Sequence, residues 1–344
     1  MIDLKDIAGL SEPLKRLIEV VAEGIGGLAR PILIRKNADA KAYEIRTIAQ
    51  AIADSQKLLG PVTYEDGSIV IESSSEHQLS VLPEATIEKR VLARLTYQEA
   101  KRQSNIERIT QHAAEDLRTE QHVASESPDS DWITRFFRIA EDITTEQMQT
   151  LWGKVLAGEV KRPGSYSLRT LDLLKNINQR EAETFVKVGR IAFLSADKTF
   201  VPNPDRGKYL EDKFGLTFLE LLLLRELGLL FPDDLQFILK PAEANTQNVF
   251  ACGSTCIMVE RPKGTPKQSV TAIVFTEIGK QLLQLVDRSL ADPCYIQKFA
   301  SLFRREGVVI KSGLILKWHK DGIEAANLLE VPEDSPQKQK KEGS

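Results

Sequence analysis

Two cysteines lie four residues apart in the stretch "ACGSTC" and resemble one half of a zinc site. Cys252 and Cys256 supply thiolates, and Cys294 with His319 would complete the sulfur and nitrogen ligands that zinc prefers. On a continuous strand, however, residues four apart are separated by about 13 Å, which is too far for one metal ion. Only a tight turn at Gly253-Ser254 would bring the two thiolates together, so we expect ordinary buried thiols and no metal.

A second chemical pattern is the string "GIGGLA" at residues 24–29, which matches the G-x-G-x-x-G/A pattern of dinucleotide-binding loops. In those folds the glycines follow a strand and open a helix, so that backbone amides point at phosphate. Here they follow an amphipathic helical pattern and run into Pro31. We therefore interpret them as a joint between two helices, and we expect alanine at Gly24, Gly26 and Gly27 to favour one continuous helix.

Other patterns that carry catalysis or phosphate binding are missing from the sequence. His77, His112, His122 and His319 are scattered and form no H-E-x-x-H pair. There is no G-x-S-x-G nucleophile elbow and no G-x-x-x-x-G-K-[ST] phosphate loop. The sequence therefore predicts a non-catalytic protein without a cofactor.

Composition restricts the class of partner and the location. The chain has 344 residues, 42% of them hydrophobic, and carries 46 Lys plus Arg against 49 Asp plus Glu, a net charge of −3. This balance gives no overall attraction to nucleic acid or to anionic lipid. No apolar run approaches the roughly 18 residues of a membrane span, and three cysteines suit a reducing compartment. We expect a cytoplasmic protein, with peripheral contact at the inner membrane as the alternative.

The N-terminal segment, residues 1–60, predicts two amphipathic helices. Apolar residues at three-four spacing form a stripe on the first helix, and basic residues follow it. The stripe and the basic residues are candidates for contact with a partner helix or an anionic membrane surface: Leu14, Leu17, Ile18, Val21, Ile25, Leu28, Arg30, Arg35 and Lys36. Partner-helix packing is the favoured interpretation, because Glu19 and Glu23 lie within the helix itself.

The middle of the chain predicts helices. Residues 61–124 predict a β-hairpin over 62–71, turning at Asp66-Gly67, and then a long charged helix with a narrow apolar stripe. Residues 131–193 predict a compact bundle of four helices. Two of these helices begin with capping-box spacing, at Thr144 with Gln147 and at Asn178 with Glu181.

The pattern changes to mixed α and β over residues 200–330. A very apolar helix at about 217–227 precedes extended stretches at 235–239, 249–260 and 269–275, then two further helices and two short strands at 307–318. This order is similar to a winged-helix module, which predicts either DNA binding or protein docking. The segment has sixteen basic and sixteen acidic residues, which argues against DNA. Residues 331–344 are charged and predict a disordered tail.

The stretch "LWGKVLAGEVKRPGSYSLRTL", residues 151–171, predicts structural roles for its most distinctive residues. Trp152 is expected to anchor the core, because an indole buries a large apolar area. Gly158 with Pro163 and Gly164 predicts a helix end and a turn. Glu159 and Arg169 are expected to form a polar bridge across that turn.

This stretch, with "GLSEPLKRLIEVVAEGIGGLARP" near the N-terminus and "FTEIGKQLLQL" further on, resembles the bacterial domain-of-unknown-function family 2806. The central helices are similar, more distantly, to the abortive-infection alpha proteins of bacteria. The resemblance implies a bacterial cytoplasmic protein with a role in defence against phage. It brings no catalytic residues with it.

These observations predict a mostly α protein with a C-terminal α+β part. The N-terminal amphipathic helices, the central bundle and the winged-helix-like domain lead us to expect an interaction or scaffold protein. Its partner would be another protein or a second copy in a homo-oligomer, with nucleic acid disfavoured and peripheral membrane contact as an alternative. A winged-helix DNA-binding regulator and a membrane-surface effector are the alternative functions.

Overall fold

Ten helices and ten strands make up the regular structure in the computed structural model, which describes residues 11–26, 62–65, 68–71, 87–196, 198–289, 291–319 and 322–333. The helices, numbered along the chain, are α1 Glu12–Ile25, α2 Ile87–Leu117, α3 Ser130–Ala140, α4 Glu146–Lys161, α5 Leu168–Asn176, α6 Gln179–Arg190, α7 Lys208–Phe214, α8 Phe218–Glu226, α9 Glu277–Leu283 and α10 Pro293–Phe303. The strands are β1 Val62–Glu65, β2 Ser68–Ile71, β3 Phe193–Ser195, β4 Lys198–Pro202, β5 Leu235–Leu239, β6 Thr246–Cys252, β7 Thr255–Arg261, β8 Gln268–Val274, β9 Val309–His319 and β10 Gly322–Glu330. None of the described helices has the length and apolarity needed to cross a bilayer.

The chain divides into two compact units, residues Met1–Leu168 and Arg169–Ser344. In the first unit α1, α2, α3 and α4 pack together around one apolar core. This division differs from the predicted one, in which the first helix stood apart and a four-helix bundle covered residues 131–193. The apolar stripes of α3 and α4 are covered by α1 and α2, while α5 and α6 belong to the second unit.

The long charged helix is confirmed as α2, but its two halves differ. The second half buries Ile109, Ala113 and Leu117 in the core of the first unit. The first half leaves its large apolar side chains exposed: Ile87, Val91, Leu92, Leu95 and Tyr97. The predicted hairpin is also present, because β1 and β2 pair antiparallel from Val62 opposite Ile71 to Glu65 opposite Ser68. The predicted turn residues Asp66-Gly67 lie outside the described residues.

The second unit is built on an eight-stranded antiparallel sheet with the order β10-β9-β7-β6-β3-β4-β8-β5. The predicted strand at 235–239 is β5, and the extended stretch at 269–275 corresponds to β8. The stretch predicted as extended over 249–260 instead contains parts of two strands, β6 and β7, which pair as a hairpin. The strands β3, β4 and β10 were not predicted. Residues 307–318 were predicted as two short strands, whereas one long strand, β9, is present there and pairs with β10.

An aromatic cluster joins the sheet to α10 in the core of the second unit. The rings of Phe193 and Phe299 stack with centroids 4.0 Å apart, and Phe250 contacts both Phe299 and Phe303. The hydroxyl of Tyr295 donates to the backbone carbonyl of Ile191 at 2.9 Å, which satisfies a buried polar group.

The start of the predicted tail, at residue 331, belongs to the folded unit. Val331 is buried, its N–H donates to the carbonyl of Ile310, and its own carbonyl accepts from Arg304. A buried apolar side chain with both backbone groups paired belongs to the folded unit. Residues 334–344 of the predicted tail lie outside the described residues.

Candidate interaction surface

Helix α8 is held firmly at its start by a reciprocal pair of hydrogen bonds. The hydroxyl of Thr217 accepts from the Glu220 N–H at 3.3 Å, and the Glu220 carboxylate accepts from the Thr217 N–H at 2.9 Å. Lys187 on α6 lies 3.1 Å from the same carboxylate. These partners, the Thr217 N–H first, lower the pKa of Glu220, so it stays ionised at neutral pH. The helix start is therefore fixed in place by local and tertiary contacts.

The side chains of α8 are apolar on almost every side, in the sequence "FLELLLLRE". Leu221 and Leu224 face inward and are buried. Phe218 is 66% exposed, Leu219 is 72% exposed and Leu222 is 37% exposed. We call these last three residues the α8 face. A helix that is apolar all round is normally covered on all sides, so the α8 face is an unusual surface for an isolated chain.

A small polar cavity of about 140 Å³ lies beside the α8 face. Asp234, just before β5, accepts from Arg225 Nη2 of α8 at 2.5 Å and from Asn203 Nδ2 at 2.7 Å. This network joins the end of β4, helix α8 and the start of β5. Phe218 lines the same cavity, so the cavity opens beside the α8 face.

The charges around the cavity balance. Arg206 and Glu211 line it in addition to the Arg225 and Asp234 pair, which gives two residues of each sign. Arg206 has a positive φ of 59°, a conformation that non-glycine residues seldom adopt, directly before Gly207 at 91°. The cavity therefore offers hydrogen-bond donors and acceptors without a strong net field.

The N-terminal candidates occupy a different environment from the α8 face. Leu17, Ile18 and Val21 are buried in the first unit, where α1 packs on α2, α3 and α4. Leu14 and Ile25 are half-buried, whereas Leu28, Arg30, Arg35 and Lys36 lie outside the described residues. The described part of the apolar stripe thus packs largely within the first unit.

The glycine string lies at the end of α1, and the second helix of the predicted joint lies outside the described residues. Helix α1 ends at Ile25. Gly26 caps it with a φ of 81°, and the Gly26 N–H donates a hydrogen bond to the backbone carbonyl of Ala22. Gly24 lies inside the helix, where an added Cβ would come within 2.0 Å of the Phe137 ring. Gly24 is therefore required for close packing, which the joint hypothesis did not anticipate.

The distinctive residues of α4 have structural roles. Trp152 is fully buried, with its ring 5.4 Å from Phe136, as the predicted core anchor would be. A Cβ at Gly153 would lie 2.4 Å from Cβ of His112, so α4 and α2 approach closely there. A Cβ at Gly158 would similarly strike the Tyr166 ring at 2.8 Å. Gly153 and Gly158 therefore make room for neighbours inside α4. The predicted helix end at Gly158 is wrong, because the helix continues to Lys161.

Glu159 binds the backbone of the following turn. Its carboxylate accepts from the N–H of Gly164 at 2.6 Å and of Tyr166 at 3.0 Å. Gly164 has a φ of 82°, which the turn beside Pro163 requires. The predicted partner of Glu159 was Arg169, but both carboxylate oxygens accept hydrogen bonds from backbone amides instead. Burial raises the pKa of Glu159 above its usual 4.5, and these amide hydrogen bonds oppose that shift.

Cys252 and Cys256 flank the tight turn that a metal site would need, but the strand pairing places their thiols on opposite faces of the sheet. Cys252 lies opposite Thr255 and Cys256 lies opposite Ala251 across the β6–β7 hairpin. Directly opposed residues share a face and successive residues alternate, so the two thiols point to opposite faces. Burial raises the pKa of Cys252 to about 12. Within the described part of the chain, no three His, Cys, Asp or Glu residues gather as a metal site.

The α8 face and its cavity were missed as a site by sequence analysis, although one signal was present. A nine-residue helix with apolar residues on every side cannot bury all of them against one sheet and one helix. The cavity had no such signal, because Asn203, Arg225 and Asp234 come together only through the fold.

Comparison with known proteins places the chain by sequence. The family model described as "Protein of unknown function (DUF2806)" matches residues 89–300, which include α8 and the cavity. No curated protein matches the chain significantly. No solved structure does so either.

Proposed function

The chain belongs to the DUF2806 family of proteins of unknown function, and for this member we propose a non-catalytic role as an interaction or scaffold protein. It binds another protein through the α8 face. The exposure of Phe218 and Leu219, at 66% and 72%, is the observation that carries the proposal.

The energetics of the α8 face favour a protein partner. Removing a large apolar side chain from water contributes about 1.5–3 kcal/mol, so Phe218 and Leu219 together offer a substantial part of a binding energy. Exposed aromatic and aliphatic residues on a rigid element are typical anchors of protein interfaces. The capping bonds of Thr217 and Glu220 supply that rigidity before a partner arrives.

The adjoining cavity supports the same proposal. It has room for a single side chain and presents the Arg225 and Asp234 pair. A partner residue with an apolar stem and a polar end would place the stem beside Phe218 and the end near this pair. The combination of an apolar face and a small polar pocket gives both affinity and orientation.

The DNA-binding alternative retains one supporting observation. Helices α7 and α8 are joined by only three residues, Gly215–Thr217, which is similar to a helix-turn-helix. The second helix of such a unit would meet phosphates and base edges, and α8 instead presents Phe218, Leu219 and Leu222. For the membrane-effector alternative, the described part of the α1 stripe is largely buried, and its basic residues Arg30, Arg35 and Lys36 lie outside the described residues.

A role in phage defence is the biological setting that we propose for these contacts. Its support is the resemblance of the central helices to abortive-infection alpha proteins. Expression of the chain in a phage-sensitive host should lower plaque numbers, and the α8-face variant described next should remove that protection.

The proposal is tested by capturing partners from the native host with the full chain after chemical crosslinking. Leu219→Glu should remove the specific partner, because a carboxylate would be buried in an apolar contact. Leu329→Glu on β10 is the matched control, because Leu219 and Leu329 are both 72% exposed. The control should capture the partner as the wild type does.

Equal capture by Leu219→Glu and the wild type would contradict the proposed role of the α8 face. Capture lost only in Leu329→Glu would move the contact to the β9–β10 hairpin. Both variants should keep the wild-type melting temperature, since both changes lie on the surface.

A further inference from the structure

The two edges of the eight-stranded sheet are protected very differently. At β10 the pairing with β9 is interrupted by register shifts, Asn327 has a φ of 54°, and Glu324 and Glu330 add charge. Irregular, charged edges of this kind resist pairing with another strand. At the other end β5 has the sequence "LQFIL", with no proline, no charge and an unbroken register against β8. Within the described residues no strand pairs with the outer side of β5.

The direction of the free backbone groups on β5 follows from the neighbouring hydrogen bonds. The Thr271 carbonyl accepts from Asn203, on the β4 side of β8, and the Val274 carbonyl accepts from Phe231, on the β5 side. Backbone groups alternate in direction along a strand, so Val270 and Ala272 also point toward β5. Their partners Phe237 and Leu235 therefore face β8, which leaves the N–H and C=O of Gln236 and Ile238 pointing outward.

We propose that β5 pairs antiparallel with β5 of a second copy of the chain, which joins the two sheets across a twofold axis at Phe237. In this register Gln236 of each copy lies opposite Ile238 of the other. All four outward groups of each strand are then paired. The register also keeps the core side of both sheets on the same face, as rotation about an axis perpendicular to the sheet requires.

Charge along the strand selects a second copy rather than an unrelated strand. The segment "DDLQFILK" is acidic before β5 and basic after it. The register that pairs all of β5 places the acidic end, Asp233 and Asp234, across from Lys240 of the other copy at both ends of the contact. Asp234 also bonds to Arg225 and Asn203 within its own chain, whereas Asp233 is exposed. An antiparallel self-pair is thus complementary in charge, whereas a parallel pair would bring like charges together. This inference goes beyond the proposed function, because it concerns the edge of the sheet rather than the α8 face and names a second copy of the chain as the partner.

The oligomeric state of the full chain tests the proposal. Light scattering with size-exclusion chromatography should give the wild type twice the 38.5 kDa mass of one chain. Ile238→Pro should give a monomer, because proline removes an outward N–H while the ladder to β8 remains. Ile238→Ser keeps that N–H and is the matched control, which should remain a dimer.

A second variant covers the case in which Ile238→Pro does not fold. Lys240→Glu places a carboxylate across from the acidic end of β5 in the other copy. The dimer should then dissociate at a severalfold higher protein concentration than the wild-type dimer does. This difference should shrink as the salt concentration rises. A monomeric wild type, or a dimer that survives both variants, would overturn the proposal. A monomeric wild type that still loses its captured partner through Leu219→Glu would leave the proposed function standing and remove only this inference.

Discussion

Helix α4 contains three residues, Trp152, Gly153 and Gly158, whose roles are in packing rather than in chemistry. The indole is fully buried, and each glycine lies where a Cβ would strike a neighbouring side chain. Interiors of this density tolerate neither a lost ring nor an added methyl group. The effects of single substitutions in the first unit should therefore be large and specific to each site.

Trp152→Ala should lower the free energy of unfolding by about 3–5 kcal/mol, because it removes a buried indole and leaves a cavity. Trp152→Phe keeps most of the ring and should cost less. Lys154→Ala, at an exposed position on the same helix, is the control and should change stability by less than about 0.5 kcal/mol. Thermal and denaturant unfolding measure all three. A melting temperature unchanged in Trp152→Ala would contradict a core role.

Gly24→Ala should destabilise the first unit by about 1–3 kcal/mol, because the new methyl group overlaps the buried Phe137 ring. The joint hypothesis predicts the opposite sign, a gain of about 1 kcal/mol from replacing glycine within a helix. Glu19→Ala, on the exposed side of α1, is the control. Thermal unfolding decides between the two signs.

Glu159 should make stability depend on pH in an unusual direction. Its folded pKa is raised above 4.5 by burial, so the folded state holds the proton more tightly than the unfolded state. Its contribution is then fully present below pH 4.5 and declines as pH rises through the raised pKa. The stability advantage of the wild type over Glu159→Gln should therefore shrink as pH increases across that interval. Denaturant unfolding at several pH values tests this, and an advantage that grows with pH would contradict it.

At the scale of elements, the start of α8 decides how rigidly its apolar face is presented. The helix is only nine residues long, so it depends on capping and on tertiary contacts rather than on its own propensity. Thr217 and Glu220 satisfy each other's backbone N–H groups, and Lys187 ties Glu220 to α6. Loss of this cap should loosen α8 before it affects the sheet.

Thr217→Ala should weaken the start of α8 by about 1 kcal/mol, because the acceptor of the Glu220 N–H is removed. Amide hydrogen exchange in α8 should then accelerate about fivefold, with little change in the strands. Asn178→Ala removes the matched capping box of α6 and should accelerate exchange there instead. Unchanged exchange in α8 of Thr217→Ala would show that tertiary contacts alone hold the helix start.

At the scale of the whole molecule, charge and surface chemistry point away from nucleic acid. The net charge is −3, and the segment 200–330 has equal numbers of acidic and basic residues. The affinity of a protein for DNA phosphates comes largely from the counterions that binding releases. Releasing them requires a local excess of Lys and Arg on the protein surface. The α8 face instead presents apolar side chains.

We therefore expect no appreciable affinity for duplex DNA at physiological salt. Gel-shift measurements over a series of ionic strengths test this, with an established duplex-binding protein as the positive control. Tight binding that falls steeply as salt rises would contradict the charge argument and favour the DNA-binding regulator.

The sequence by itself determined the elements whose signals are local. The periodicity of α2, the hairpin β1–β2 and the strand β5 follow from residues close together in the chain. The capping box at Asn178 and Glu181 is present as predicted, because both partners lie within one turn. The one at Thr144 was wrong, since Thr145 is the N-cap and its side chain makes no capping bond.

Contacts between distant segments were decided only by the tertiary structure. The short strands β3 and β4 have little pattern of their own and exist because β6 and β8 pair with them. The opposite faces of Cys252 and Cys256 follow from a register that one residue of slip would reverse. The exposure of the α8 face is of the same kind. The sequence shows which residues of α8 are apolar, but only the packing of α8 against α6 and the rest of the second unit determines which of them stay exposed.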